Sequence, residues 1–453
     1  MRYLPITPSE DRALLDAIGV NCVEDLFRAI PVDLRLDREL NLPGQKSEQE
    51  VLQHMMALAD MNKAFKSRFL GAGAYDHFVP AAIDQLTNRQ EWLTAYTPYQ
   101  PEISQGTLQH IFEYQTIVCD LTGLDVSNAS LYDGGTACVE AALMAVRVQK
   151  KRKTLLVSAG LHPHYLEVIR TNLVAHEDIK LVLIKLKDGI TDMDDLVSSL
   201  DENVAAVLVG YPNFLGCIED FKAISDAAHA VGSMVISVTQ EALAFGWLEA
   251  PGKLGADMAC GEAMSFGNKL NFGGPYLGFL AVQDKYKREI PGRVVGQTQD
   301  LDGQTGYVLT LTAREQHIRR DKATSNICSN QGLIALRANI FLQLAGPNGI
   351  RTLAEQNVAK AQYLQDCLLK LPNFSGMFTA PFFNEFVTYY DGDISVLQAQ
   401  CAKNGILAGL DLTPYAPELD HCILWCATEL NSREQIEQLV EVLANITSSV
   451  SSR

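Results

Sequence analysis

Residues 204–216 read VAAVLVGYPNFLG, an apolar run of strand length that ends in a turn containing proline, asparagine and glycine. Helical periodicity follows at residues 221–231 and stops at Gly232. Similar apolar runs lie at residues 154–158, 180–185, 234–238 and 277–282. Strands that alternate with helices of crossover length predict a large, mostly parallel sheet covered by helices, the α/β class.

The sequence on either side of this region has a different pattern. The N-terminal segment contains predicted helices at residues 8–18, 23–30 and 47–62. The C-terminal segment combines a helix, a stretch rich in proline and phenylalanine, and a last amphipathic helix at residues 432–443. We therefore predict a helical arm at residues 1–65, a large α/β domain at residues 66–345 and a smaller α+β domain at residues 346–453.

Composition excludes several classes of protein. The chain has 453 residues, 47% of them apolar and 20% charged, which is typical of globular proteins. Its 37 basic and 54 acidic residues give a net charge of −17, which argues against nucleic acid as a partner. No apolar run has the length of a membrane span, and the first residues lack a signal or transit pattern, so we expect a cytoplasmic protein. The ten cysteines form no C-x-x-C pair, and we predict neither a disulfide nor a metal site.

One candidate anion site lies at Asp133-Gly134-Gly135-Thr136, before a helix predicted at residues 137–147. Two glycines let backbone N–H groups approach an anion, and Thr136 adds a hydroxyl at the positive end of the helix. The pattern fits a phosphate site and an ordinary capped helix equally well.

A second candidate is the turn at residues 211–216, which follows a strand where α/β sheets bind ligands. A tight turn explains its proline, asparagine and glycine as well. His162 and His164 lack carboxylate or cysteine neighbours in the sequence, so we expect core or stacking histidines there and no metal ligands.

Lys269 precedes the glycine cluster at residues 273–278, which suggests a pyridoxal-phosphate enzyme with a lysine Schiff base. That chemistry also requires an acid beside the pyridinium nitrogen, normally on the strand before the lysine loop. Residues 235–240 contain none, and Glu241 comes one residue too late. We also expect a strand to end near Asp257, ahead of the lysine loop.

The most basic run, residues 314–326, reads REQHIRRDKATSN. Arginine forks with hydroxyl and amide groups could bind a carboxylate or a phosphate. Runs of charge more often lie on solvated faces or between subunits, and we favour an interface. The candidate residues are Arg314, His317, Arg319, Arg320, Lys322, Thr324, Ser325 and Asn326.

Residues 96–106, which read YTPYQPEISQG, form a polar and aromatic loop. The loop has more hydrogen-bonding groups than a connection requires. Loops of this kind line sites or contact partners.

Together, residues 96–106, 211–220, 272–278 and 314–330 resemble the P-protein family of the glycine cleavage system. The similarity is to its N-terminal half, called subunit 1 where the protein is split, and covers nearly the whole chain in order. It implies the pyridoxal-phosphate transferase fold type I. It also implies a reaction in which glycine is decarboxylated and its aminomethyl group passes to the lipoyl arm of H-protein.

In the catalytic half of this family the cofactor lysine lies eight residues after an aspartate. Counting eight residues from Asp257 reaches Ser265, and Lys269 falls four residues late. The resemblance therefore implies that pyridoxal phosphate is bound by a partner, subunit 2, and that this chain is not active alone. A heterodimer or a dimer of heterodimers is implied as well.

Within the resemblance, this chain would shape its partner's active site. The candidate shared-site residues are Tyr96, Thr97, Pro98, Tyr99, Gln100 and Glu102. The candidate vestigial cofactor positions are Gly134, Gly135, Thr136, Ser265 and Lys269. Two alternatives stay open: a purely structural scaffold subunit, and a self-sufficient pyridoxal-phosphate decarboxylase or transaminase that uses Lys269.

Overall fold

The computed structural model describes the backbone of residues 6–450 and the side chains of residues 6–446. The chain divides after Lys63 into two units, residues 1–63 and 64–453. Within the described part, no helix is both long enough and apolar enough to cross a bilayer.

The first unit is helical. Thr7 caps the helix Pro8–Ile18: its hydroxyl accepts a hydrogen bond from the Glu10 N–H, and the Glu10 carboxylate accepts one from the Thr7 N–H. The same capping box, formed by Ser47 and Glu50, begins the helix Glu48–Asp60. These reciprocal caps explain why the first and third predicted helices are correct. The second is only a 3-10 turn, Val23–Phe27, and a further turn lies at Val32–Leu34.

The second unit contains a seven-stranded sheet. Its strands lie in the order Val126–Ser127, Gly278–Val282, Met258–Glu262, Met234–Thr239, Val204–Gly210, Thr154–Ser158 and Lys180–Ile184. The last five are parallel, and Gly278–Val282 is antiparallel to both of its neighbours. All five predicted strands are present. The strand Met258–Glu262 was missed, and it begins after Asp257, so the expected strand ending near Asp257 is wrong.

Helices cover both faces of this sheet. The helices of ten or more residues in the region are Gln105–Thr122, Gly134–Gln149, Pro163–Leu173, Phe221–Ala230 and Gly332–Leu368. Shorter helices lie at Ala81–Thr87, Gln90–Leu93, Met193–Ser199 and Gln316–Arg319. The helix predicted at residues 137–147 begins three residues earlier because Asp133 is its N-cap, so both glycines lie in its first turn.

A four-stranded sheet forms the C-terminal part, in the order Phe374–Gly376, Glu385–Tyr390, Cys422–Cys426 and Leu410–Asp411. The helices Ile394–Lys403 and Arg433–Val450 belong to this part. Three two-stranded pairs complete the unit: Ser67–Arg68 with Ile406–Leu407, Leu186–Lys187 with Ile190–Thr191, and Val294–Gln299 with Thr305–Thr310.

The helix Gly332–Leu368 connects the two sheets. It is interrupted at Gly346, where φ is 58°. Beyond the interruption, Ile350 and Ala354 still pack in the core of the large sheet with Phe341. Only from Ala361 onward does the helix pack in the core of the small sheet. The domain boundary at residues 345 and 346 therefore stays a prediction.

A buried hydrogen bond in the small sheet gives a stability prediction. Trp425 is fully buried, and its Nε1 donates to the Thr388 hydroxyl at 2.9 Å. Replacing Thr388 by valine keeps the shape but leaves the indole N–H unpaired, and we expect a loss of about 1–3 kcal/mol in the free energy of unfolding. Urea denaturation measures it. Thr388→Ser, which retains the hydroxyl, is the control; a valine variant as stable as the serine variant would contradict the prediction.

Candidate functional site

The loops that follow the parallel strands meet the N-terminus of the helix Gly134–Gln149 at the carboxyl edge of the large sheet. In α/β sheets this edge is where ligands bind. Strands Met234–Thr239 and Met258–Glu262 end there, so their last residues and the following turns decide what can bind.

The helix N-terminus already contacts two carboxylates. The Gly134 N–H donates to Oε2 of Glu262 at 3.0 Å, and the Thr136 N–H donates to Oδ1 of Asp133 at 2.6 Å. Oε1 of Glu262 accepts two further N–H groups, from Met264 at 3.0 Å and Leu277 at 2.6 Å. Burial raises the pKa of Glu262 to about 7 even though these N–H groups favour its charged form.

Two glycines near this helix are required by close packing. A Cβ atom at Gly134 would lie 2.1 Å from the Tyr165 hydroxyl oxygen, and one at Gly278 would lie 2.3 Å from the Asp133 carbonyl oxygen. The space beside the helix N-terminus is therefore filled by side chains and backbone of this chain.

The candidate cofactor positions do not form a lysine site. Ser265 is buried just after the strand Met258–Glu262. Lys269 is exposed, and its Nζ lies 2.8 Å from Oδ2 of Asp84, which also pairs with Arg337. A lysine in a surface ion pair does not have the desolvated setting that activates a Schiff-base lysine.

The two nearby acids are engaged elsewhere. Oε2 of Glu241 lies 2.9 Å from Nε2 of His77, and its Oε1 accepts the Leu243 N–H. Asp257 precedes its strand and so lies at the opposite, amino edge, where it accepts the Val235 N–H. With no acid in place and two carboxylates at the helix N-terminus, the described residues do not fit pyridoxal phosphate.

The turn at residues 211–216 is built around Asn213. Its Nδ2 donates to Oε1 of Glu219 and to the Gly189 carbonyl, while its Oδ1 accepts the N–H groups of Leu215 and Cys217. Both carboxamide atoms are thus used inside the fold. These bonds support the tight-turn interpretation.

His162 is a core histidine, as the sequence predicts. Its ring packs against Phe214 and Tyr165, and its Nε2 lies 3.0 Å from the Ala72 carbonyl oxygen. Burial lowers its pKa to about 4, so the ring is neutral. In the described residues, no three His, Cys, Asp or Glu side chains are arranged to hold a metal ion.

The polar loop at residues 96–106, hereafter the tyrosine loop, contacts the basic segment at residues 314–330. The Tyr99 ring lies 6.0 Å from the His317 ring, and the hydroxyls of Thr97 and Ser329 are 3.5 Å apart. Two segments that the sequence singled out independently are therefore neighbours.

Arg293 joins these two segments and was missed in the sequence. Its Nη2 donates to the Tyr99 hydroxyl at 3.0 Å and to the Cys328 carbonyl at 2.7 Å, and its guanidinium lies 4.8 Å from the centre of the Tyr99 ring. Arg293 is only 2% exposed, with Glu315 at 3.7 Å. A lone arginine after a Pro-Gly pair carries no motif, so nothing in the sequence indicates this role.

The candidate shared-site residues differ in exposure. Tyr96 is 87% exposed and Tyr99 is 54% exposed. Gln100 and Glu102 are exposed, Thr97 is half-buried and Pro98 is buried. Four of the six side chains can thus contact another molecule, while Thr97 and Pro98 pack within the fold.

The basic segment also contains buried and exposed members. Arg314 is half-buried, and its guanidinium donates to the carbonyls of Ile290 and Gly292. These bonds stabilise the fold, and a place for Arg314 in an interface stays a prediction. His317, Arg319, Arg320, Lys322 and Asn326 are exposed, whereas Thr324 and Ser325 are half-buried.

A buried ionic cluster lies elsewhere in the same unit and was also missed. His77 lies between two carboxylates, with Nδ1 2.8 Å from Glu429 and Nε2 2.9 Å from Glu241. Next to it, the Tyr75 hydroxyl donates to Glu385 at 2.7 Å. Burial raises the pKa of Glu385 to about 7. This cluster ties the segment after the arm to both sheets.

Comparisons with known proteins agree with this architecture. A family model described as glycine cleavage system P-protein matches residues 1–443. The probable glycine dehydrogenase (decarboxylating) subunit 1 of Desulforamulus reducens is 48% identical over 449 residues, covering 99% of this chain and 100% of that protein. The protein of the same name from Moorella thermoacetica is 47% identical over 446 residues, covering 98% of this chain and 100% of that protein.

Solved structures agree as well. A crystal structure of glycine decarboxylase (P-protein) of the glycine cleavage system in inhibitor-bound form has a TM-score of 0.88 and 41% identity, covering 98% of this chain and 100% of that chain. A sphingosine-1-phosphate lyase from Burkholderia pseudomallei, with a TM-score of 0.66 and 16% identity, covers 92% of this chain and 93% of that chain and shares the fold alone. The predicted pyridoxal-phosphate transferase fold type I is confirmed. By sequence and by fold, the chain belongs to the glycine cleavage system P-protein family.

Proposed function

We propose that this chain is the subunit of glycine dehydrogenase (decarboxylating) that does not bind the cofactor, and that it completes the active site of a companion, subunit 2. The companion binds pyridoxal phosphate, which supplies the electron sink for decarboxylation. The enzyme then decarboxylates glycine and transfers the aminomethyl group to the lipoyl arm of H-protein. On this proposal the isolated chain has no activity.

The observation that supports this proposal best is the residue found at the expected position of the Schiff-base lysine. Ser265 is buried where the family resemblance places the Schiff-base lysine, and a hydroxyl cannot form an imine. Lys269, the alternative, is paired with Asp84 at the surface. A self-sufficient enzyme that uses Lys269 is therefore disfavoured.

The tyrosine loop supports a shared site over a scaffold alone. Tyr99 is fixed by Arg293 on one side and contacts His317 on the other, and its ring is still half exposed. A fixed aromatic hydroxyl on a surface loop can exclude water from a neighbouring pocket and donate a hydrogen bond into it. We assign this role to Tyr99, with the exposed Tyr96, Gln100 and Glu102 beside it.

Assembly and location follow from the same proposal. The relatives' designation as subunit 1 suggests a companion chain, and we propose a heterodimer or a dimer of such heterodimers. The ten cysteines are free thiols, which agrees with a reducing cytoplasm.

Two substitutions in the reconstituted complex test the shared site. Tyr99→Phe removes the hydroxyl that bonds Arg293, and we expect turnover of glycine to fall about 10-fold because an aligned polar group is lost. Thr97→Ala is expected to have a smaller effect, since Thr97 only approaches Ser329 at 3.5 Å. Glycine-dependent release of carbon dioxide measures both.

Tyr363→Phe is the matched control, because it removes a tyrosine hydroxyl bonded to Glu437 in the small domain. Unchanged turnover and unchanged KM for glycine in both loop variants would favour the scaffold alternative. Borohydride trapping of the isolated chain with pyridoxal phosphate is the second test: an adduct at Lys269 would overturn the proposal.

A further inference from the structure

We propose that Glu262 is an internal anion that closes this chain to phosphate-bearing ligands. Its carboxylate lies where a bound phosphate would otherwise contact the N-terminus of the helix Gly134–Gln149. This inference rests on the proposed function, which places the cofactor on the companion, and adds the residue that excludes it here.

The contacts of Glu262 are those of a bound anion. Its two carboxylate oxygens accept three backbone N–H groups, from Gly134, Met264 and Leu277, at 2.6–3.0 Å. Helix N-terminal N–H groups and turn N–H groups are the usual partners of phosphate in α/β proteins. The residue is only 4% exposed, so these bonds are shielded from bulk solvent.

The position of Glu262 along the chain gives a second reason. It is the last residue of its strand, three residues before Ser265. Its carboxylate thus contacts the positive helix N-terminus from a strand end that lies just before the position of the missing lysine in the chain. The Glu262 side chain thus accepts hydrogen bonds from these N–H groups and occupies the place that an anionic ligand would take.

Negative charge near Glu262 adds to the exclusion of a phosphate. Asp133 adds a second carboxylate at the same helix N-terminus, bonded to Thr136. A phosphate dianion at this place would face both carboxylates in a buried setting, where like charges repel strongly.

Glu219 provides the comparison that isolates the effect. It too is a buried carboxylate in this unit, and it accepts the Thr191 N–H and the Asn213 Nδ2. Neither donor belongs to a helix N-terminus. Removing Glu219 should therefore destabilise the fold without creating a phosphate site.

The test uses the full chain and inorganic phosphate as the probe. Thermal unfolding of wild type, Glu262→Ala, Glu262→Ser and Glu219→Ala is followed at pH 8 in phosphate and in sodium chloride of equal ionic strength. We expect the Glu262 variants to unfold at lower temperature in chloride. Phosphate should then raise their Tm by about 3 °C more than that of wild type, because a ligand that binds only the folded state stabilises it. Glu219→Ala should gain no more than wild type.

The outcomes separate this inference from the proposed function. Folded Glu262→Ala and Glu262→Ser proteins without the excess gain in phosphate would overturn it, whatever the wild-type complex does with glycine. If both Glu262 variants fail to fold in chloride, their refolding is tested in phosphate. Recovery of the folded Glu262 variants in phosphate, without a similar recovery of Glu219→Ala, supports the inference. Failure of both Glu262 variants to refold in either salt overturns it. Glycine decarboxylation by the wild-type complex tests the proposed function independently.

Discussion

Replacing His77 by alanine is expected to lower the free energy of unfolding of residues 64–453 by about 3–5 kcal/mol, because two buried carboxylates lose their shared partner. The His77 side chain is 1% exposed, and the carboxylates of Glu241 and Glu429 are 2% and 7% exposed. Buried charges without a partner are among the costliest defects in a fold. Chemical denaturation of the isolated chain measures the loss.

His176→Ala, at an exposed histidine, is the control for loss of an imidazole. His77→Gln tests the charge directly, since a carboxamide can donate to one carboxylate but carries no positive charge. A His77→Ala protein within 1 kcal/mol of wild type would contradict the role assigned to this cluster.

The same cluster predicts a pH dependence. Burial alone would lower the pKa of His77, but the charge of Glu241 and the bonds to both carboxylates raise it from 6.5 to about 10. The stabilisation by His77 is thus fully present below pH 6.5 and is lost as the pH rises through about 10. Burial would raise the pKa of Glu429, but His77 lowers it from 4.5 to about 2. Its contribution is present above pH 4.5 and is lost as the pH falls towards 2. The difference between wild type and His77→Ala should therefore be largest between pH 4.5 and 6.5.

If the tyrosine loop shapes the site as proposed, Arg293→Met is expected to lower glycine decarboxylation by the reconstituted complex about 100-fold, because a displacement of a positioning group by about 1 Å has effects of this size. Arg293 holds the Tyr99 hydroxyl and the Cys328 carbonyl together. Methionine has a similar length but donates no hydrogen bond, so the tyrosine loop loses its attachment to the basic segment. We expect kcat to fall more than KM for glycine changes.

Arg293→Lys should recover part of the activity, since a single ammonium can reach one of the two acceptors but cannot stack on the ring as a guanidinium does. Arg89→Met is the control, because the exposed Arg89 forms its ion pair with the exposed Glu91. Full activity of the Arg293→Met complex, with normal unfolding, would show that Tyr99 does not depend on this contact.

Most of the large sheet could be predicted because parallel strands buried on both faces appear as continuous apolar runs. The strand Met258–Glu262 escaped since Gly261 and Glu262 interrupt its apolar pattern. The polar contacts of the site could not be predicted. Glu262 and Gly134 are 128 residues apart, and His77 and Glu241 are 164 apart. No local pattern encodes such pairs, because they form only when the chain has folded.

The tyrosine loop and the basic segment could each be predicted from their own composition. Their meeting could not, because it depends on Arg293, which belongs to neither segment. Arg314 shows the reverse: its charge suggested a contact with another chain, yet its guanidinium donates hydrogen bonds to two carbonyls of its own chain. Sequence composition predicts what a side chain can bond, while the fold decides which partner it meets.

The helix Gly332–Leu368 limits how this unit can move. Beyond Gly346 it contributes Ile350 and Ala354 to one core, then Ala361 and Leu364 to the other, without a loop between them. A swing of the small sheet against the large one would have to bend an intact helix between those two pairs. The helix therefore couples the two sheets mechanically, and a clamshell type of closure would require a bend within residues 354–361.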